Sequence, residues 1–384
     1  MKFATGPCHA DVLIVGAGPA GLASAIAAAR QGLHVEVIDA MKPPIDKACG
    51  EGLMPDSLEA LAAIGFTNLD QILRETENHL LRGIRFIGDH TSSNHTTTTE
   101  AEFPQNPGRG IRRTVLHQIL LDRATSLGVR FHWENSVHSI APTAEGTLVH
   151  SNRQTLRARY LIGADGPRSR VATWAGLTED SIQSRRIGLR QHYTIAPWTD
   201  FVEVYWSNVG QAYVTPNSSN EVCVAFIANK KIPSSEVALN HFPTLRHHLA
   251  ASQPNGPTRG SITLGRKLHR VTKGNVALIG DASGSVDAVT GEGMALCFRQ
   301  AAALSLALRA DDLVLYQQAH RRIQRFPSLM SRSLLLMDRS PLFRDSVLHT
   351  FQRNPWLFER LLQMHIGHSP LQSFGTESLH VLTG

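Results

Sequence analysis

The stretch DVLIVGAGPAGLASAIAAARQGLHVEVID, residues 11–39, runs from an apolar segment through a glycine-rich turn into an alanine-rich segment and a second apolar one. The Val, Leu and Ile of residues 12–15 predict a buried strand, and the alanine-rich run ending before Gly32 predicts a helix. Pro19 suits the first helical position, where a missing N–H leaves no acceptor unpaired. Gly16 permits the tight turn, Gly18 lets backbone approach a diphosphate, and Gly21 lets the helix lie close to the strand. Pro19 and Ala20 then open a helix whose first amides and dipole attract an anion. The second strand, Val35 to Ile38, delivers Asp39 18 residues after Gly21, where a carboxylate accepts ribose hydroxyls. Strand, turn, helix, strand and terminal acid in this order predict dinucleotide binding, and they leave FAD and NAD(P) open.

Two further strand ends favour FAD. RARYLIGADGPRSR, residues 157–170, carries an apolar strand into Asp165-Gly166, and NVALIGDASGSVDAVTGEGM, residues 275–294, carries another into Gly280-Asp281. Ligands of open α/β sheets gather at the carboxyl ends of strands, and FAD, with its ribitol, diphosphate and ring, needs several such contacts. A single nicotinamide fingerprint does not.

GAGPAG at 16–21, Asp165-Gly166 and Gly280-Asp281, in this order over nearly the whole span, resemble the single-component flavin monooxygenase superfamily typified by para-hydroxybenzoate hydroxylase. DKACGEGLMP at 46–55 and VDAVTGEGM at 286–294 are most similar to its geranylgeranyl reductase-like branch, of which flavin halogenases are cousins. The resemblance implies an α/β fold: a Rossmann-like FAD-binding domain, an interleaved antiparallel β-sheet substrate domain and C-terminal helices. It implies that Asp39 holds the adenosine ribose and that Lys47, Ala48, Cys49 and Gly50 pass near the flavin. Arg113 approaches the cofactor from a helix start, Val137 meets the adenine through its backbone, and Asp281 serves the ribitol or diphosphate. Gly291, Glu292, Gly293 and Met294 bring helix-terminal amides to the pyrimidine side of the ring, where they stabilise negative charge.

With 384 residues, 42% hydrophobic and 18% charged, the chain has an ordinary globular composition. A net charge of +6 and a pI near 9.3 suit an anionic ligand or an acidic membrane surface, while no long Lys/Arg block marks a nucleic-acid groove. Cysteines at 8, 49, 223 and 297 form no CxxC pair, zinc pattern or disulfide scaffold, so no metal and a cytoplasmic setting are expected. No second GxGxxG appears, so NAD(P)H as electron donor must visit a shared cleft. The FAD-binding domain is expected from 1–75, 105–185 and 265–320, and the substrate domain from 76–104 and 186–264. In the latter, 186–195, 201–206 and 211–228 alternate like antiparallel strands, and 91–99 reads as an edge strand or loop. Region 321–384 is expected to be helical, with an apolar stripe through Phe343, Val347, Phe351, Leu357 and Leu361. Arginines 332, 339, 344, 353 and 360 flank it, a pattern that fits packing helices or peripheral membrane contact.

Such a fold serves several chemistries. Hydroxylation of a phenolic or lipophilic small molecule by molecular oxygen, through a flavin C4a-hydroperoxide, is the leading expectation. Arg190 and His192 then share one strand face, with His192 as base or proton shuttle and Tyr213 as substrate hydrogen-bond partner. Reduction of carbon–carbon double bonds is the alternative, because the Tyr-x-Trp-x-Phe-Pro segment of prenyl reductases survives here only as Tyr213-Val214-Thr215-Pro216. The Trp-x-Trp-x-Ile-Pro segment of halogenases is absent, and a non-enzymatic flavin sensor is the remaining alternative. Cys49 is expected to be a small side chain packed in the flavin loop.

Overall fold

The computed structural model describes residues 10–88, 96–178, 180–230 and 232–367. Its first sheet grows around the strand Ala10–Val15, whose side chains are almost wholly buried. Val35–Ile38 and Thr155–Gly163 flank this strand in parallel, with Val12 opposite Val35 on one side and Tyr160 on the other. Arg130–His132 extends the sheet beyond Val35–Ile38, and Val276–Leu278 extends it beyond Thr155–Gly163. The parallel strands therefore end together at Gly16, Asp39, Ala164-Asp165 and Gly280-Asp281. Such an edge is where open α/β sheets bind ligands.

The helix Pro19–Ala29 packs on this sheet through Leu22, Ala23, Ala25 and Ile26. Gly21 is required by that packing, since a Cβ there would stand 1.8 Å from the Gly16 carbonyl oxygen. Gly16 itself has φ +108°, a conformation that side chains disfavour. From the helix Arg113–Ser126, the buried His117 places Nε2 2.9 Å from the Ala17 carbonyl and steadies the turn.

A second, eight-stranded sheet stands against the first. The alternating segments form Asp180–Thr194, Phe201–Ser207, Gly210–Ser218 and Glu221–Ala228, and Gln253–Leu268 pairs antiparallel along the first of these. One pair departs from the antiparallel expectation: Phe201–Ser207 runs parallel to Gly83–Gly88, because the chain returns to it only after the whole first-sheet excursion. Thr97–Glu102 is an edge strand that overlaps the end of 91–99, the stretch read as an edge strand or loop, of which residues 91–95 lie outside the described residues. Gly284–Ser285 pairs with Arg266 and Lys267, so the segment that leaves the first sheet at Gly280 is stitched onto the second.

A small three-stranded sheet of Gly52–Leu53, His79–Leu81 and Gly108–Gly110 was not legible in the sequence. It lies where a Cβ on Gly110 would meet the Pro216 carbonyl at 1.7 Å. Among the described residues the C-terminal region forms three helices, Leu313–Arg339, Pro341–Arg353 and Pro355–His365. Each break falls before a proline that starts the next helix, as its fixed φ favours. Phe351, Leu357, Phe358 and Leu362 pack on Leu81, Phe103 and Val202, covering the second sheet. Arg344 is not a flanking surface residue: it is buried and donates to the Ser207 carbonyl and to Asn208 Oδ1. Among the described residues no helix is long and apolar enough to cross a membrane.

Candidate FAD and substrate site

A cavity of about 380 Å³ lies between the two sheets. Pro19 and Ala20 stand at one end, the loop Lys47–Gly52 along one side, and Gly280–Asp281 with Gly291, Gly293 and Met294 along another. The second sheet closes it with Leu189, Arg190, Tyr213, Thr215, Ala225 and Ile227.

The dinucleotide end has the chemistry of an anion cradle. The first-turn amides of Pro19–Ala29 have no intrahelical acceptors. Arg113, 7% exposed, lines the cavity with its buried Nη1 unpartnered. Lys47, Arg113 and Arg266 all act electrostatically on Asp281, whose carboxyl burial pushes up and these cations pull down. An orphaned guanidinium and free helix-start amides are what a diphosphate would satisfy, so the residues present fit FAD. Asp39 accepts from Ala17 N at 2.7 Å and Met41 N at 2.8 Å, which ties the acid to the glycine turn. Asn135 N donates to the Asp39 carbonyl and brings Val137, buried at the start of its strand, to the same side.

Several expected residues have other employment. Asp165 does not turn its carboxylate to the cavity; it caps the helix Arg170–Ala175, accepting from Ser169 Oγ at 2.6 Å, Arg170 N at 2.7 Å and Val171 N at 3.1 Å. Gly166 beside it has φ +84° and lies near Lys47 Nζ. The Tyr213 hydroxyl donates to the Val289 carbonyl at 2.7 Å, and burial raises its pKa above the ordinary tyrosine value. It therefore braces the Val289–Gly293 turn rather than pointing to a substrate.

His192 likewise has protein partners. It is not on the cavity wall; Nε2 lies 2.7 Å from Glu51 Oε2, while Arg190 Nη1 lies 2.9 Å from Nδ1. Glu51 is the hub the sequence reading missed. Fully buried at φ +61°, it accepts from the Arg113 amide at 3.1 Å and from Asn217 as well as facing His192. Arg190 continues the network to Asp46, which also accepts from Arg259 at 3.1 Å. Glu51, His192 and Cys223 bring potential ligand atoms within 4.8 Å of one another, but the Arg190 guanidinium and the Asn217 amide already supply cation and donor there. Cys49 does reach the cavity; burial raises its thiol above the ordinary cysteine pKa, so it is held protonated.

Behind Gly291 and Gly293 the Glu292 side chain turns away from the cavity into a buried polar compartment. Its carboxylate lies 3.8 Å from His365 Nδ1 and makes no hydrogen bond of normal geometry. Burial pushes it up to about 8. Arg299, its cationic neighbour, pairs with Asp56 at 2.9 Å, whose own carboxyl burial raises to about 6. Because the folded pKa of Glu292 lies above the unfolded value, its protonated form favours the fold, and that stability is lost as pH rises through the folded pKa. Between pH 6.5 and pH 9 the wild type should lose on the order of 2 kcal/mol through this group. Glu292→Gln should remove that loss, read as parallel urea midpoints across the same pH range; an unchanged slope would sink the assignment.

A family model described as FAD binding domain matches residues 9–322. A menaquinone reductase of Mycolicibacterium smegmatis is 28% identical over 306 residues, covering 74% of this chain and 73% of its own. Digeranylgeranylglycerophospholipid reductase 1 of Methanothermobacter thermautotrophicus is 27% identical over 303 residues, with the same coverage of 74% and 73%. An FAD-dependent monooxygenase of Aspergillus terreus and a 3-(3-hydroxy-phenyl)propionate/3-hydroxycinnamic acid hydroxylase of Mycobacterium sp. each align over 45% of the chain. A flavin-dependent brominase superposes with a TM-score of 0.79 over 97% of this chain and 98% of its own, at 16% identity, a likeness of fold alone.

Proposed function

Because the chain belongs to the FAD-binding-domain family and is an FAD-dependent oxidoreductase, we infer that it reduces a carbon–carbon double bond in a lipophilic, isoprenoid-bearing molecule. The observation that carries this reading is the wall of the cavity's substrate half. Leu189, Val202, Ala225, Ile227, Ile262 and Leu264 make it apolar, and neither group expected to deprotonate or orient a phenol is free. His192 faces Glu51, and the Tyr213 hydroxyl faces Val289. The relatives that align over three-quarters of the chain are named as reductases of menaquinone and of a geranylgeranyl lipid, which supports the same substrate class.

Bound and reduced, FAD would supply hydride-transfer chemistry, and the protein's part is to hold it, orient the double bond and furnish a proton. On the protein's side, Arg113 and the first-turn amides of Pro19–Ala29 would hold the diphosphate. Tyr213 fixes the turn that carries Gly291 and Gly293, and the apolar wall excludes water from the substrate chain. The proton comes from Cys49 Sγ, the thiol on the cavity wall, and Arg113 and Arg190 stabilise the thiolate that is left until solvent reprotonates it. NAD(P)H is the proposed electron donor, entering the same cavity before the substrate.

Cys49→Ala should retain FAD and lose about 100-fold in kcat, the ordinary size of a lost general acid. Turnover of a polyprenyl quinone or prenyl lipid by the reduced enzyme should proceed fully in anoxic buffer. A strict oxygen requirement, with an oxygen atom incorporated into a phenolic product, would overturn the reductase reading and restore hydroxylation.

A further inference from the structure

We propose that the exposed face of the helix Leu313–Arg339 docks on an anionic lipid bilayer. This goes beyond the double-bond chemistry, and it does not depend on it. The helix contains five arginines, at 321, 322, 325, 332 and 339, and all five are exposed. Its one acid, Asp338, faces inward instead, bound to Arg186 at 3.1 Å and to Gln211 and Asn229. Among the described residues none of the five arginines makes an ion pair with a side chain; Arg321 reaches only the His269 carbonyl, at 3.4 Å.

Apolar residues stand in the same stripe. Val314, Arg321, Arg325, Leu329, Arg332, Leu336 and Arg339 are spaced by three, four or seven residues, so they share one side of the helix. Leu329 and Leu336 are half exposed, and Leu342, in the first turn of the next helix, is 84% exposed with Phe343 beside it. The opposite side carries Tyr316, His320, Pro327 and Ser331, all buried. A helix of 27 residues presents this face over about 40 Å.

Arginines without partners and interspersed leucines form a face that a soluble protein has no internal use for. A helix lying in the plane of a bilayer surface sets its apolar side chains among the acyl chains and its cations against anionic headgroups. Charge complementarity selects the anionic bilayer as the occupant. The same helix also reaches the cavity by another side: Gln324, about 100° round the axis from Arg325, lines it.

The test is flotation of the full-length holoprotein with vesicles of phosphatidylcholine alone or with about one-third phosphatidylglycerol, in the absence of substrate and at low and high salt. Binding should require the anionic lipid and weaken with salt. Each arginine near such a surface contributes about a fivefold factor in partitioning, so R325Q/R332Q/R339Q should reduce binding about 100-fold. L329S/L336S should remove most of the binding that persists at high salt. Both variants should keep wild-type FAD content and circular dichroism. Equal binding to neutral vesicles, or undiminished binding by the triple variant, would overturn the proposal. So would failure to float together with retention on a DNA duplex, which would assign the face to nucleic acid. If the wild type floats as expected yet reduces no prenyl substrate dispersed in detergent, docking stands and the reductase reading fails.

Discussion

Gly21→Ala is expected to yield a protein purified without FAD. The added Cβ would lie 1.8 Å from the Gly16 carbonyl oxygen, and that carbonyl has nowhere to retreat. Gly16 N donates to the Ile38 carbonyl at 2.9 Å, Ala17 N donates to Asp39, and His117 holds the Ala17 carbonyl. The helix must move instead, by more than an ångström, and its first-turn amides then miss the diphosphate. An affinity loss of at least about 1000-fold follows if three or more charge-assisted hydrogen bonds are broken, each contributing about 1.5–3 kcal/mol. Gly18→Ala is the informative partner, since nothing lies within 4 Å of a Cβ built there. It should fold normally and bind FAD weakly, because its methyl occupies only the space a diphosphate needs. The ratio of flavin absorbance to protein checks both; stoichiometric FAD in Gly21→Ala would refute the cradle.

Glu51→Ala should be the most destabilising single change near the cavity, by about 3–5 kcal/mol in urea unfolding. It removes the carboxylate that faces His192 and accepts from the Arg113 amide and Asn217, and leaves the Arg190 guanidinium buried with Asp46 as its remaining acid. Glu51→Gln keeps one oxygen acceptor and should lose less than half as much. Equal losses in the two variants would mean that packing, rather than charge, makes the site stable.

These residues also mark the boundary of what the sequence could reveal. The glycine turn and Asp39 are legible because their logic is local: the Gly16 carbonyl, the contact that decides Gly21, lies within the same βαβ unit. The carboxyl-end rule likewise locates Gly280 and Asp281. Glu51 stands in the quoted CGEG run, yet its partners are 62, 141 and 166 residues away, and no spacing rule joins them. Arg190 and His192 do share a strand face, but only the fold reveals that this face meets Glu51 and Asp46. Asp165 was ambiguous in a different sense, since an acid at a strand end serves a ligand or caps the next helix equally well. Ser169, whose hydroxyl accepts from Ala172 N, was the unread capping signal. Glu292 was placed on the right turn, but a side-chain direction does not follow from a glycine pattern.

The first sheet is assembled from strands that the chain delivers far apart: Ala10–Val15 waits for Thr155–Gly163, which in turn waits for Val276–Leu278. The cavity then waits for Met294 and, last of its described lining, Gln324. At about 5–20 residues per second of synthesis, roughly 10–60 s separate the emergence of the glycine turn from the arrival of its opposite wall. During that interval an apolar strand edge is on offer to any other chain, and long-range pairing of this kind is slow even once the chain is complete. The described lining of the FAD cavity is thus complete only once the chain has been made through Gln324. FAD supplied to the closed chain should then hold the last-arriving segment in place by mass action.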